Sequence, residues 1–189
     1  MAVDHARHFS IPALPSSPGT RDSLSSHTIV VFLFVDVSNS AELQQQLTEG
    51  ALDPACALFN ASLVPSVFTV LQAAAKAAHS SDRQSLRTRS VHSEIVFNLA
   101  GSRHIGPSLA KFGIATGCPS VFLVLFDPGE EAIRRAPELV RGRSVALDEL
   151  GSVSDREAIK VAYKISDNEL RESSLEQAVA TRIAARDLL

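Results

Sequence analysis

The sequence is poor in the residues that build disulfide frameworks and metal centres. Its 189 residues include two cysteines, Cys56 and Cys118, no tryptophan, and Tyr163 as the single tyrosine. Two cysteines are too few for a disulfide-rich secreted scaffold, and the absence of a C-x-x-C pair argues against structural zinc. We therefore expect both thiols to be reduced, and we expect neither a metal nor a cofactor.

Long hydrophobic runs are also missing. The longest, Ile29–Val35 and Val121–Phe126, have the length of strands and fall short of the ~20 apolar residues that a membrane helix needs. The N-terminus contains no apolar stretch typical of a signal peptide. These features predict a soluble protein that is not secreted.

Catalytic motifs are incomplete wherever they occur. Ser108–Lys111 forms an S-x-x-K and Ser166–Asn168 an S-D-N, as in penicillin-recognising enzymes, but no K-T-G follows. His92–Glu94 matches the H-x-E of zinc deaminases without the P-C-x-x-C that must accompany it. The chain has no G-x-S-x-G, G-x-G-x-x-G or P-loop. The sequence therefore predicts a binding protein and not an enzyme.

The hydrophobic content of 45% is typical of a globular chain, and we expect one domain over residues 1–189. Residues 12–26, rich in proline and serine, indicate a loop or a partly disordered insert. Apolar runs predict strands near His8–Ile11, Ile29–Val35, Ala57–Asn60, Glu94–Ala100 and Val121–Phe126.

Helical spacing predicts helices at 39–50, from 65 to about 79, at 105–113, and near 130–140, 155–161 and 169–188. Asn39 with Glu42 has capping-box spacing, as do Ser154/Glu157, Ser166/Glu169 and Ser173/Glu176. Gly113 is typical of a left-handed helix end. Because helices surround a mainly N-terminal set of strands, we predict an α+β fold, a two-layer sandwich with a mostly antiparallel sheet and flanking helices.

Positive charge is concentrated in one window of an acidic chain. Lys76 to Lys111 contains six basic and two acidic residues, or +4, so the rest of the chain carries −7 and the net charge is −3. Arg87 and Arg89 are two residues apart, on the same side of what we predict to be an extended segment. Arginine pairs suit phosphates. A solvated loop or salt bridges to the protein's own carboxylates would explain the same pattern.

A long central stretch of the sequence resembles a known family. The similarity is to the PRPK-binding protein family (TPRKB-like proteins), the kinase-associated subunits of the KEOPS, or EKC, complex. It rests on Leu86–Leu99, His104-Ile105 and Leu109–Ile114, with support from Asp36–Leu43, Val70–His79 and Arg186–Leu189. The resemblance covers residue 28 to the end.

The resemblance implies a non-catalytic subunit that binds and regulates the small atypical kinase/ATPase of the complex. It also implies help in docking the 3′ CCA end of tRNA for threonylcarbamoyladenosine modification next to the anticodon, in the cytoplasm and nucleus. A protein-only adaptor that tethers the kinase without contacting RNA is the alternative. The other KEOPS subunits would then be indirect partners, and no membrane would be involved.

We expect the cations of the basic window to meet tRNA phosphates, with Lys76 on the solvent face of its helix, and histidines to stack on bases. The RNA-binding candidates are Lys76, Arg87, Arg89, Arg103, Lys111 and His104, with His79 and His92 as further stacking residues. The last helix is the candidate kinase contact, although packing on the protein's own core would equally explain its apolar end. Its candidates are Val179, Arg182, Ile183, Leu188 and Leu189.

Overall fold

An antiparallel sheet organises the fold. The computed structural model describes residues 5–13 and 26–187. Within them the strands are β1 (Arg7–Pro12), β2 (Ser26–Val35), β3 (Ala57–Asn60), β4 (Val121–Phe126) and β5 (Arg143–Val145). The order is β1-β2-β4-β3, with β5 also paired to β2, and every pairing is antiparallel. Since β4 occupies one edge of β2, β1 and β5 lie in succession along the other.

The central strand β2 is buried on both faces of the sheet. Ile29, Val31 and Leu33 belong to one apolar cluster, and the residues that alternate with them belong to a second. Successive side chains of a strand point to opposite faces. A strand covered on both sides therefore appears in the sequence as an unbroken apolar run, as β2 does.

Helices cover both faces of the sheet. The helices are α1 (Ser40–Glu49), α2 (Val67–Asp82), α3 (Val91–Leu99), α4 (Ile105–Phe112), α5 (Glu130–Arg135), α6 (Leu150–Val153), α7 (Arg156–Tyr163), α8 (Glu169–Glu172) and α9 (Leu175–Ala185). Short 3-10 turns occupy Ala61–Leu63, Ala136–Leu139 and Leu147–Glu149. Side chains of α2, α3, α7 and α9 build the larger cluster, whereas α1 and α5 pack on the opposite face. The predicted α+β class and antiparallel sheet are confirmed. No helix in the described part of the chain is long and apolar enough to cross a bilayer.

The predicted strand at Glu94–Ala100 is wrong, because these residues belong to α3 and its C-terminal cap. Ser90 begins the helix with a capping box: its hydroxyl accepts from the Ser93 amide, and the Ser93 hydroxyl accepts from the Ser90 amide. Every residue from Glu94 to Leu99 is buried. A helix buried on all sides has no polar stripe, so its sequence resembles that of a buried strand.

Two predicted helix-terminal devices are also wrong. The Asn39 side chain does not cap α1; it donates to the Leu139 carbonyl at 2.8 Å and accepts from the Arg141 amide at 2.9 Å. Gly113 has φ −61° and is not left-handed. Glycine is nevertheless required there, because a Cβ would lie 2.5 Å from the carbonyl oxygen of Leu109.

The C-terminal third is more broken than predicted. The helix expected near 130–140 ends at Arg135 and gives way to a 3-10 turn, and β5 follows, a strand that the sequence pattern did not predict. Asp155, not Ser154, caps α7, and Ser174 with Gln177, not Ser173 with Glu176, forms the capping box of α9. The helix predicted at 169–188 is divided between α8 and α9. The two ends of the predicted insert belong to strands, since Pro12 of β1 pairs with Ser26 of β2. Residues 14–25 lie outside the described residues.

Candidate binding groove

An apolar groove of about 990 Å³ lies where α1, β3, α3 and α4 meet. Elements far apart in the sequence supply its walls: the second half of α1 and the turn after it, the first two residues of β3, and parts of α3 and α4. Its larger apolar side chains are Leu47, Leu52, Leu58, Val96, Ile105, Leu109 and Ile114. Leu47 and Ile105 are 41% and 37% exposed. The groove is therefore an accessible apolar surface and not a closed cavity.

Two arginines lie on the segment that borders this groove. Arg87, Thr88, Arg89 and Ser90 all contribute to its lining, immediately before α3 begins. The Arg87 side chain is 51% exposed, with one guanidinium nitrogen 4.0 Å from an Asp187 oxygen. Arg89 is exposed and forms no ion pair within the described residues. Positive charge thus borders an apolar surface.

His92 also lines the groove, in the first turn of α3. Burial lowers the pKa of its imidazole to about 4, because the charged form is poorly solvated there. The ring is therefore neutral at neutral pH and offers a planar, uncharged surface. Cys56 lines the groove too and is buried, and burial raises the pKa of its thiol to about 12. The thiol is therefore protonated and is a poor nucleophile.

Comparison with known proteins gives one consistent family. Residues 34–187 match the family described as kinase binding protein CGI-121. The chain belongs to the CGI-121 family. The EKC/KEOPS complex subunit TPRKB of Danio rerio is 32% identical over 164 residues, covering 86% of this chain and 93% of the relative. The EKC/KEOPS complex subunit cgi121 of Aspergillus fumigatus is 33% identical over 186 residues, covering 91% and 94%. The resemblance found in the sequence is confirmed.

All residues that line the groove fall within the matched range 34–187. The candidate RNA contacts lie at different distances from this groove. Only Arg87 and Arg89 of the six lie at the groove. Arg103 and His104 are exposed in the turn before α4, and Lys111 is exposed at its end, with Nζ 3.2 Å from the Ala162 carbonyl. The structure therefore brings together two of the predicted cations and leaves Arg103, His104 and Lys111 outside the groove.

Lys76 is not on a solvent face, which corrects the sequence-based expectation. Its ammonium donates to the carbonyls of Ile183 and Ala184, at 2.8 and 3.2 Å, and pairs with Asp187 at 2.8 Å. Its side chain is 21% exposed. The helical pattern of α2 could not reveal this, because α9 returns from 107 residues later in the chain to cover that side of the helix.

The predicted kinase contacts on the last helix lie in different environments. Val179 and Ile183 are completely buried in the protein's own core, so a partner cannot reach them in this structure. Arg182 donates to both carboxylate oxygens of Glu169 and to the Tyr163 carbonyl. Leu188 and Leu189 lie outside the described residues. Of the two explanations for this apolar helix, packing on the domain itself accounts for Val179 and Ile183.

The apolar lining was the part of the site that sequence reasoning missed. Ile105 and Leu109 fall within the helix predicted at 105–113, and apolar residues at that spacing fit a core helix as well as a groove wall. The α3 residues that line the groove, among them Val96, could not be recognised as one helical face, because the sequence pattern predicts a strand at Glu94–Ala100. Within the described residues, no group of three or more histidine, cysteine or acidic side chains is placed to hold a metal ion.

Proposed function

We propose that the protein is a non-catalytic subunit of an EKC/KEOPS complex that acts in the cytoplasm and nucleus. It binds and regulates the small atypical kinase/ATPase of the complex and docks the 3′ CCA end of tRNA, which is modified to threonylcarbamoyladenosine next to the anticodon. Family membership and the names of the relatives support the kinase and the complex. The observation that supports the RNA contact is the apolar groove bordered by Arg87 and Arg89.

The groove suits an unpaired RNA end for two physical reasons. Unstacked bases gain free energy by contacting apolar and planar side chains, and their phosphates require cations nearby. The lining offers both, with the aliphatic surface of α3 and α4 next to two exposed guanidinium groups. Its volume of about 990 Å³ admits a short single strand. Duplex RNA would be read by shape over a much larger surface.

The test is a filter-binding titration of the protein, alone and with its kinase, against intact tRNA and tRNA trimmed of CCA. We expect salt-dependent binding that is lost on trimming. Arg87→Glu with Arg89→Glu should weaken it and reduce the salt-dependence slope by about 1.4, since each phosphate contact to a single strand contributes about 0.7.

Arg156→Glu with Arg171→Glu makes the same charge change at exposed sites that do not line the groove. This control should retain affinity for tRNA, and both double variants should still co-purify with the kinase. Equal affinity for intact and trimmed tRNA, or equal losses in the two double variants, would contradict the proposal. In that case a protein-only adaptor that tethers the kinase becomes the better description.

A further inference from the structure

A buried carboxylate lies directly beneath the arginine-bearing segment. Glu94, in the first turns of α3, is 0% exposed. Its Oε2 accepts three hydrogen bonds, from the Arg87 amide at 3.1 Å, the Thr88 amide at 2.9 Å and the Thr88 hydroxyl at 2.8 Å. One side-chain oxygen therefore fixes two consecutive backbone groups of the segment that borders the groove.

Further polar contacts close this segment on itself. The Ser93 hydroxyl lies 3.0 Å from the Thr88 hydroxyl and 3.0 Å from that of Ser90. Ser90 and Ser93 also form the capping box that begins α3. The path of residues 87–90 is thus determined by side chains of the helix that follows it, and Glu94 lies at the centre of these contacts.

Stability alone explains this glutamate poorly. A buried carboxylate is costly unless it is paired or fully hydrogen-bonded. Glu94 has no ion-pair partner among the described residues, and its Oε1 is buried without a hydrogen bond in that part of the chain. A buried polar group that lacks a full set of partners is typical of functional positions, because selection for stability alone would not retain it.

We propose that Glu94 is a positioning residue for RNA binding: it holds the backbone of Arg87 and Thr88 so that the guanidinium groups of Arg87 and Arg89 face phosphates at the groove. This inference rests on the proposed function. Without the carboxylate, the segment would have to be ordered again each time RNA binds. Fixing one backbone residue costs on the order of a tenfold change in affinity.

The direction in which Glu94→Gln changes the affinity for tRNA distinguishes a positioning role from a purely electrostatic one. Glu94→Gln removes a negative charge beside two cations, so long-range electrostatics predicts tighter binding of RNA. Positioning predicts the opposite, because an amide is a weaker acceptor than a carboxylate. We expect binding of intact tRNA to weaken about fivefold to tenfold, the affinity equivalent of ordering roughly one residue.

The experiment measures tRNA affinity for the full chain and for Glu94→Gln, each with the native arginines and with Arg87→Gln plus Arg89→Gln. Positioning predicts that Glu94→Gln has no further effect once both arginines are absent. Amide hydrogen exchange, measured without RNA, should become faster at Arg87 and Thr88 in the Glu94→Gln variant. Thr88→Val removes one of the three hydrogen bonds to Glu94 and should give a smaller loss of affinity. This variant tests the same claim if Glu94→Gln fails to fold.

The outcomes identify which claim fails. A wild-type chain that does not bind tRNA contradicts the proposed function, and the positioning role with it. A wild-type chain that binds tRNA, combined with unchanged or tighter binding by Glu94→Gln, contradicts the positioning role alone. The same holds if the loss persists in full when both arginines are absent, or if amide exchange at Arg87 and Thr88 is unchanged.

Discussion

Replacing Lys76 by methionine separates a structural lysine from an RNA-binding one. Its ammonium joins α2 to the last turn of α9 through two backbone carbonyls and Asp187. Methionine keeps an unbranched apolar stem of similar length, so most of the packing is retained while the charge and the donors are removed. The carbonyls of a last helical turn have no partners within their own helix. Lys76 is therefore the group that satisfies them from outside.

The expected cost follows from the exposure of the groups. A net hydrogen bond to a charged group contributes about 1.5–3 kcal/mol when buried, and part of this is recovered by water because the Lys76 side chain is 21% exposed. The ion pair adds at most about 1 kcal/mol, since Asp187 is 44% exposed. We expect Lys76→Met to lower the free energy of unfolding by about 2 kcal/mol. That corresponds to a melting temperature lower by about 4–8 °C for a chain of this size.

Urea unfolding followed by circular dichroism measures this loss. Burial alone would raise the pKa of Asp187, but hydrogen bonds and charges from Lys76 and Arg186 outweigh it and lower the pKa. The stabilisation from Asp187 is therefore present above the unfolded-state pKa of about 3.9 and is lost as pH falls through the lower folded-state pKa. The difference between wild type and Lys76→Met should shrink in that acidic range.

A stable Lys76→Met variant with weakened tRNA binding would refute this reasoning. Such a result would return Lys76 to the candidate RNA contacts. Wild-type affinity for tRNA, together with the loss of stability, would support the structural role.

Two further predictions concern stability. His27 bridges Asp127 and Asp82 at 2.6 and 2.8 Å; burial acts to lower its pKa, but the hydrogen bonds and charges of the two carboxylates raise it overall. Its stabilisation is therefore complete below the unfolded-state pKa of about 6.5 and is lost as pH rises through the folded-state value. Urea unfolding between pH 6 and 9 should show this decline in the wild type and a flatter profile in His27→Gln; parallel profiles would argue against the bridge. Gly113→Ala should cost about 1–3 kcal/mol by overpacking, whereas Gly151→Ala in α6, whose Cβ would meet nothing within 4 Å, should cost little. Equal shifts in melting temperature would contradict the steric explanation.

The elements that sequence reasoning placed correctly are those whose pattern has one physical explanation. The run at Ile29–Val35 is too short for a helix that spans a core and too apolar for a loop, so its assignment as a strand was secure. Glu94–Leu99 is also mostly apolar, but it is a helix enclosed by α2, α4 and the sheet. Burial on all sides removes the periodicity that distinguishes the two, and the decisive signal was the pair of serines at Ser90 and Ser93.

The candidate site was predictable only in part, because its components have different origins. Arg87 and Arg89 are close together in the sequence, and the residue types alone reveal their charge. The groove beside them is formed by α1, β3, α3 and α4, which the chain brings together only on folding. The orientation of Lys76 likewise depends on α9, which no local pattern in α2 can anticipate.

The pairing of Pro12 with Ser26 at the end of the β1–β2 ladder has a practical consequence. Opposed residues of an antiparallel pair have Cα atoms about 4.5–5.5 Å apart, so the chain leaves and re-enters the sheet at neighbouring points. Lengthening a connection between such points costs only about 0.6 kcal/mol for each doubling. A fluorescent or affinity module inserted between these two residues should therefore leave the register of the strands unaltered.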